Sequence, residues 1–308
     1  MLIAQKLKII QSLSGLTQVK LASRLGVSFA TINSWLNGKS LPHRNALNRI
    51  NELYYEYTGQ KEFPDDVGKA KKQIITAKSK KHKNIIQLIR KRRDIYDQFV
   101  LSLTYNTNRI EGSTLNEAQT AAILFDNITF SNKKLFEHIE VKNHQTALAY
   151  LFKYVSENNK LNEAFILKIH SLLLNGIQED AGLYRKHGVR IVGANVPTAN
   201  YLKIPQLMKE IVKDINRQKK DIISHVSEIH SRFEQVHPFS DGNGRIGRLI
   251  IHAMLLKKNI PPTIITVKKK KIYLSVLNKA QVKNELVPLE DFICDSILES
   301  YSMIEKSM

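Results

Sequence analysis

The residues from His237 to Leu249, HPFSDGNGRIGRL, gather one imidazole, one carboxylate, three glycines, an asparagine and two guanidinium groups. His237, with an ordinary pKa of about 6.5, is suited to act as a general base at neutral pH. Asp241 offers a hard oxygen ligand, and Mg²⁺ usually takes one or two carboxylates together with nucleotide phosphates. Gly242, Asn243 and Gly244 let successive backbone N–H groups point at one spot, an anion hole in form. Arg245 and Arg248 follow one helical turn apart and can each hold phosphate oxygens as bidentate donors. Together these groups match phosphoryl or nucleotidyl transfer, in which positioning and charge neutralisation carry most of the catalysis.

Two helices must hold this loop. Upstream, Val226, Ile229, Phe233 and Val236 recur at helical spacing. Downstream, Ile246, Leu249, Ile250, Ala253 and Met254 do the same, so a second helix is expected to start near Gly244. The loop then meets a helix N-terminus, whose free amides and dipole favour an anion. From about residue 96 the chain reads as mostly helical, with clear periodicity at 117–125, 136–155 and 161–175. One segment departs from it. GVRIVGANVPTANY (188–201) alternates and then reaches Gly, Asn and Pro, which predicts a short strand or hairpin. A lone hairpin is marginal unless it packs or binds something.

The stretch HPFSDGNGRIGR resembles the Fic-domain signature, His-x-Phe-x-Asp/Glu-Gly-Asn-Gly-Arg-x-x-Arg, with every fixed position filled. The resemblance covers roughly 96–280, with a core at about 135–280, and implies a domain that moves AMP from ATP to a protein hydroxyl, releasing pyrophosphate. It implies that His237 deprotonates a target Ser, Thr or Tyr, on another protein or on itself, and that Asp241 binds Mg²⁺. Gly242, Asn243 and Gly244 are then expected to cradle the α/β-phosphates, Arg245 and Arg248 to hold the phosphate tail, and Phe239 to fix the loop in the core. AGLYRKHGVRIVG (181–193) resembles the family's flap, which implies that Val189, Arg190, Ile191, Val192 and Gly193 receive the target by strand addition. Tyr273 is expected beside the adenine, although Ile272 stands where relatives often have a second tyrosine. Relatives that phosphorylate have a lysine in the place of Gly244, and some relatives transfer phosphocholine. AMP is favoured here, and UMP from UTP stays open because the loop reads phosphates and not the base.

A second resemblance lies upstream. TNRIEG (107–112) is similar to the family's Ser/Thr-x-x-x-Glu-Gly/Asn motif and implies an N-terminal inhibitory helix near 100–112. Glu111 would pair with Arg248 and occupy the guanidinium that the γ-phosphate needs. A charge-assisted pair of about 1.5–3 kcal/mol shifts the competent population roughly ten- to a hundredfold. In some relatives the equivalent glutamate also positions water for removal of AMP, so reverse de-AMPylation accompanies the expected activity.

The first 58 residues form a separate unit. In LTQVKLASRLGVSFATINSWLNGKSLP, Thr17 can cap a helix carrying Val19, Leu21, Ala22 and Leu25, and Gly26 supplies a left-handed turn. Ser28 can cap a second helix with Ile32, Trp35 and Leu36 facing inward and Gly38 ending it. The pattern resembles the Cro/repressor-like helix-turn-helix family. Gln18, Ser28, Phe29, Ala30, Thr31, Asn33 and Ser34 then lie on or near a base-reading surface, with Lys39 and Arg44 near phosphates. NGKS (37–40) is not a Walker A loop, because Asn33 sits where that loop needs a glycine.

Composition sets the partners and the setting. Lys+Arg number 47 against 28 Asp+Glu, a net charge of +19, which suits nucleic acid, nucleotides or acidic surfaces but is equally what a lysine-rich codon bias writes. Residues 59–95 read as a basic linker and helix. Cys294 is the only cysteine, so no intramolecular disulfide forms, in keeping with a reducing cytosol. The start lacks a signal-type apolar run, and LIIHAMLL (249–256) is too short to span a bilayer. His225, His230, His237 and His252 lack zinc-site spacing. The expectation is therefore a cytoplasmic, mainly α protein: a helix-turn-helix head at 1–58, the linker, and an autoinhibited all-α Fic domain at 96–308 with a small β-hairpin flap. Its substrates and partners are ATP, Mg²⁺, a protein hydroxyl and DNA, with a homodimer in view because such heads often pair. The competing class is a DNA-binding transcriptional regulator that uses the Fic domain as a nucleotide sensor.

Overall fold

The computed structural model describes residues 2–58, 67–190 and 196–308. In chain order the helices are α1 (Leu2–Ser14), α2 (Gln18–Leu25), α3 (Phe29–Leu36), α4 (Arg44–Thr58), α5 (Val67–Lys81), α6 (Ile85–Lys91), α7 (Arg93–Glu111) and α8 (Glu117–Ala121). They continue with α9 (Leu135–Ser156), α10 (Glu163–Leu173), α11 (Ile204–Ile215), α12 (Ile222–Val236), α13 (Asn243–Lys257), α14 (Lys270–Lys283) and α15 (Val287–Lys306). The chain divides into two compact units, one of residues 1–83 with 294–308 and one of residues 84–293.

In the first unit the turn chemistry acts as its residue types require. The Thr17 hydroxyl accepts from the Lys20 N–H, and Gly26 ends α2 at φ +69°. The Ser28 hydroxyl accepts from the Thr31 N–H and starts α3, which buries Ile32, Trp35 and Leu36. Val19 faces outward, 62% exposed, so α2 contributes Leu21, Ala22 and Leu25 to the core. Leu7 and Ile10 of α1 and Ile50 and Tyr54 of α4 are buried in the same unit, with α3 packed against both α1 and α2 and α4 against both as well. The end of α15 belongs to this unit, where Lys78 and His82 both meet the Glu305 carboxylate, at 2.7 and 3.0 Å.

The second unit is built around the α12–α13 pair. Asp221 caps α12 by accepting from the Ile223 and Ser224 amides. α13 is buried along its length from Arg245 to Leu256, Arg245, Arg248 and His252 included, and so lies inside its domain. α7, α9 and α12 pack around it, with α10 also against its side. Ile229, Phe233, Ile246, Leu249 and Ile250 fill the space between them, each at most 2% exposed. The end of α7 is anchored to α9: the Glu137 carboxylate accepts from the Ser113 hydroxyl at 3.0 Å and the Thr114 N–H at 2.5 Å.

No strand occurs among the described residues, so the expected flap hairpin is not seen there. Of the flap positions, Ile191, Val192 and Gly193 lie outside the described residues, as do 59–66 of the expected linker. Val189 and Arg190 run without regular structure, and the Thr198 hydroxyl donates to the Val189 carbonyl at 2.8 Å.

Candidate active site

The loop joining α12 to α13 turns at His237, which sits in the left-handed region at φ +51° and ψ +61°. That conformation lets the chain leave α12 sharply and return at once into α13. His237 Nδ1–H donates to the Glu234 carbonyl at 3.1 Å. A carbonyl can only accept, so this bond fixes the tautomer and leaves Nε2 with its lone pair available. Burial lowers the imidazole pKa below its ordinary value, which keeps that base form populated at neutral pH.

Phe239 is fully buried and stacks on His170 with centroids 3.7 Å apart. The His170 ring accepts the Gly182 N–H at Nδ1 (2.8 Å) and donates from Nε2 to the Asp241 carbonyl (3.1 Å). Asn243 latches the loop from its other side: its side chain donates to the Phe239 carbonyl at 2.8 Å and accepts the Phe239 N–H at 2.9 Å. Its amide group is therefore engaged inside the loop, and what it can offer a ligand is its backbone N–H. The first intrahelical bond of α13 runs from Ile246 N–H to the Gly242 carbonyl, so the amides of Asn243, Gly244 and Arg245 head an uncapped helix N-terminus.

The charged groups surround that terminus. Arg245 is 3% exposed, donating to Glu140 at 2.6 Å and to Asp241 at 3.2 Å. Arg248, 5% exposed, donates from Nε to the Thr107 hydroxyl at 2.8 Å and from Nη2 to Glu111 at 2.5 Å. Burial alone would raise the Glu111 pKa; the Arg248 guanidinium outweighs it and holds the carboxyl below its usual range. Gly244 makes this contact fit, because a Cβ there would lie 2.6 Å from Glu111 Oε1. The Asp241 carboxylate is half exposed, with one oxygen accepting the Gly242 N–H at 2.6 Å. A single half-exposed carboxylate beside an uncapped helix N-terminus fits a Mg²⁺ that would take its other ligands from nucleotide and water.

Tyr273 is placed otherwise than expected. Its ring is 1% exposed, and its hydroxyl shares a 2.7 Å hydrogen bond with His230 Nε2 while lying against Arg248. A buried phenol presents no face to an adenine, so it serves here as a wall behind Arg248. Beneath it Glu234 is buried with Oε1 unpartnered, and burial pushes its pKa up to about 8. Sequence reasoning passed over Glu140, His170, Arg185 and Glu234. Glu140 and Arg245 are 105 positions apart, and only packing makes them neighbours.

In the first unit, Phe29, Ala30, Asn33 and Lys39 are exposed along or just after α3, with Thr31 and Ser34 half-buried and Gln18 at the start of α2. Several of their polar groups are already paired: Ser28 with Thr31 at 2.9 Å, Ser34 with Ser40 at 2.7 Å, and Asn33 with Asn37 at 2.9 Å.

Comparison with known proteins bears on the family and the fold. Residues 160–255 match the Fic/DOC family and residues 8–54 match the helix-turn-helix family. The protein adenylyltransferase Fic of Drosophila ananassae is 27% identical over 218 residues, covering 70% of this chain and 42% of that protein. The protein adenylyltransferase fic-1 of Caenorhabditis briggsae is 32% identical over 183 residues, covering 58% and 36%. The chain thus spans less than half the length of these relatives. A fragment of Fic-1 from C. elegans superposes with a TM-score of 0.66 at 21% identity, covering 96% of this chain and 97% of that one. A Fic-domain signaling protein from Bacteroides thetaiotaomicron does so at 0.65 and 24%, covering 75% and 94%. The described residues form an all-α fold, with a segment similar to the helix-turn-helix family preceding in sequence one similar to the Fic/DOC family.

Proposed function

We propose that this protein is an autoinhibited adenylyltransferase, moving AMP from ATP to a Ser, Thr or Tyr hydroxyl of a target protein or of itself. The observation that carries the reading is the convergence on the α13 N-terminus of a base-form imidazole, uncapped amides, an open carboxylate and a buried Arg248 engaged by Glu111. Curated relatives named as adenylyltransferases support the same reaction class.

In this mechanism the N–H groups of Asn243 and Gly244, with Arg248, bind the triphosphate and orient its α-phosphorus toward His237. The target hydroxyl oxygen attacks that phosphorus, its proton passes to His237 Nε2, and the bond to the β-phosphate oxygen breaks, releasing pyrophosphate. Asp241 would hold a Mg²⁺, which neutralises phosphate charge when bound. Arg245, clamped by Glu140 and Asp241, fixes the position of the Asp241 carboxylate. While Glu111 holds Arg248, the phosphate tail lacks its guanidinium. The same carboxylate can orient water for hydrolysis of the AMP ester, the reverse activity. The exposed face of α3 supports DNA as a partner of the first unit.

The test follows label from ATP carrying the isotope at the α- or the γ-phosphate. The unaltered protein, Glu111→Gly and Glu111→Gly/His237→Ala are incubated with Mg²⁺ and cell lysate. Covalent α-label that Glu111→Gly increases and His237→Ala abolishes is the expected result. Transfer of γ-label alone makes the protein a kinase-like relative. No label from either, from folded protein that binds ATP, refutes the transferase and leaves the DNA-bound nucleotide sensor.

A further inference from the structure

Tyr273 on α14 and His230 and Glu234 on α12 are buried behind Arg248. The Arg248 guanidinium donates to the Thr107 hydroxyl and to Glu111, and it also reaches the Tyr273 hydroxyl oxygen. That hydroxyl shares its 2.7 Å hydrogen bond with His230 Nε2. The other ring nitrogen, Nδ1, is buried without a partner among the described residues, and so is Glu234 Oε1. Both face Gly247 of α13, where a Cβ would lie 3.1 Å from Nδ1 and 2.3 Å from Oε1.

The chemistry of these groups fixes the direction of the bonds. A guanidinium only donates, so the Tyr273 oxygen accepts from Arg248 and its own O–H is left for His230. Nε2 is then the acceptor. Burial lowers the His230 pKa to about 3, so the ring is neutral and carries its one proton on Nδ1. Burial raises the Tyr273 pKa, and the phenol keeps its proton. The last donor in the row is Nδ1–H, and the buried acceptor on the same side of Gly247 is Glu234 Oε1. A buried donor and a buried acceptor left apart are both costly, so a small turn of the Glu234 side chain that joins them is favoured. Bonds directed one way in a site closed to water strengthen one another. The row matters most once Glu111 has left. Its carboxylate lies against Gly244, in the first turn of α13, so its departure frees Arg248 Nη2 at the uncapped helix end. Arg248 then keeps two anchors, the oxygens of Thr107 and Tyr273, and two fixed points hold the plane of a guanidinium.

We propose that Tyr273 and His230 are positioning residues that hold the Arg248 guanidinium toward the γ-phosphate of ATP, with Glu234 closing the row, and so set a preference for ATP over ADP. The proposal rests on the reading of Arg248 as the partner of the γ-phosphate.

The test uses the full chain carrying Glu111→Gly, with and without Tyr273→Phe, which removes the hydroxyl and keeps the ring. Calorimetry reads the affinities for Mg-ATP and Mg-ADP. Tyr273→Phe is expected to weaken ATP at least about fivefold and to leave ADP within about twofold. In an Arg248→Gln background the same substitution should change neither affinity, because the row then has nothing to hold. An equal loss for both nucleotides, no loss for ATP, or the same loss without Arg248 overturns the proposal. The γ-phosphate reading is judged separately, on Glu111→Gly alone. If that variant binds ATP no better than ADP, or keeps its preference when Arg248→Gln is added, the reading fails and the proposal with it. Nitrogen NMR of the imidazoles reads the row itself, with the His230 signals assigned by their loss in His230→Leu. The His230 proton is expected on Nδ1; a proton on Nε2 overturns the proposal even where the γ-phosphate reading stands. His230→Leu also serves if Tyr273→Phe does not fold: the same loss confined to ATP is expected, and an equal loss for ADP overturns the proposal.

Discussion

Replacing Glu111 by glycine is expected to tighten ATP binding about five- to thirtyfold. The Arg248–Glu111 contact is 2.5 Å long, with the guanidinium 5% and the carboxylate 38% exposed. A charge-assisted hydrogen bond of this kind contributes about 1.5–3 kcal/mol. The exposed carboxylate is screened by water, which brings the expected contribution to about 1–2 kcal/mol. At about 1.4 kcal/mol per factor of ten, releasing Arg248 gives the stated range. Glycine at this position costs little in helix stability, since Glu111 is the last residue of α7. The assay is calorimetric titration of Mg-ATP into the parent, Glu111→Gly, Arg248→Gln and the double variant. If the brake acts through Arg248, Glu111→Gly gains affinity only where Arg248 is present. An equal gain in the Arg248→Gln background, or no gain in the parent, would refute the reasoning.

Glu140→Ala leaves Arg245 buried with only the 3.2 Å contact to Asp241. It should destabilise the second unit by about 3 kcal/mol, seen as a Tm lower by roughly 6–12 °C. Gly247→Ala places a methyl 2.3 Å from Glu234 Oε1 and 3.1 Å from the His230 ring in a closed core. The expected cost is about 1–3 kcal/mol by denaturant unfolding, and an unchanged midpoint would show that the Glu234 carboxyl moves aside freely. Burial raises Glu234 to about 8, so its protonated form favours the folded state. That stability is fully present below its unfolded pKa of about 4.3 and is lost as pH rises through the folded value. Glu234→Gln should therefore flatten the fall in Tm between mildly acidic and mildly alkaline pH, and parallel profiles for the two proteins would contradict this. In the first unit, Lys39→Ala should lower DNA affinity evenly across sequences and reduce the salt-dependence slope by roughly one, measured by fluorescence anisotropy.

Much of the fold was legible because its signals are local. Thr17, Gly26 and Ser28 cap and turn α2 and α3 through bonds to amides within a few residues. The repeat of Val226, Ile229, Phe233 and Val236 places one side of α12 in the core, and the loop's composition marks a helix N-terminus wherever it is packed. The strand expected at 188–201 illustrates the limit. Alternation reports which side chains can share a face, but a ladder needs an edge to pair with, and the described residues 188–190 and 196–201 hold no strand.

The sequence by itself determined the helices, their caps, and the set of groups that one short loop carries into a site. It could name Glu111 and Arg248 as partners only by resemblance, since they lie 137 positions apart. Tertiary structure alone decided that Arg245 is clamped between Glu140 and Asp241, and that Tyr273 faces inward to Arg248 and His230. It alone set Arg185 on the carbonyls of His237, His187 and Ala199. The physical reason is that charge and hydrogen-bond energies depend on which groups share a space closed to water. That space is made by packing α7, α9, α12 and α13 together, and no window of sequence contains it.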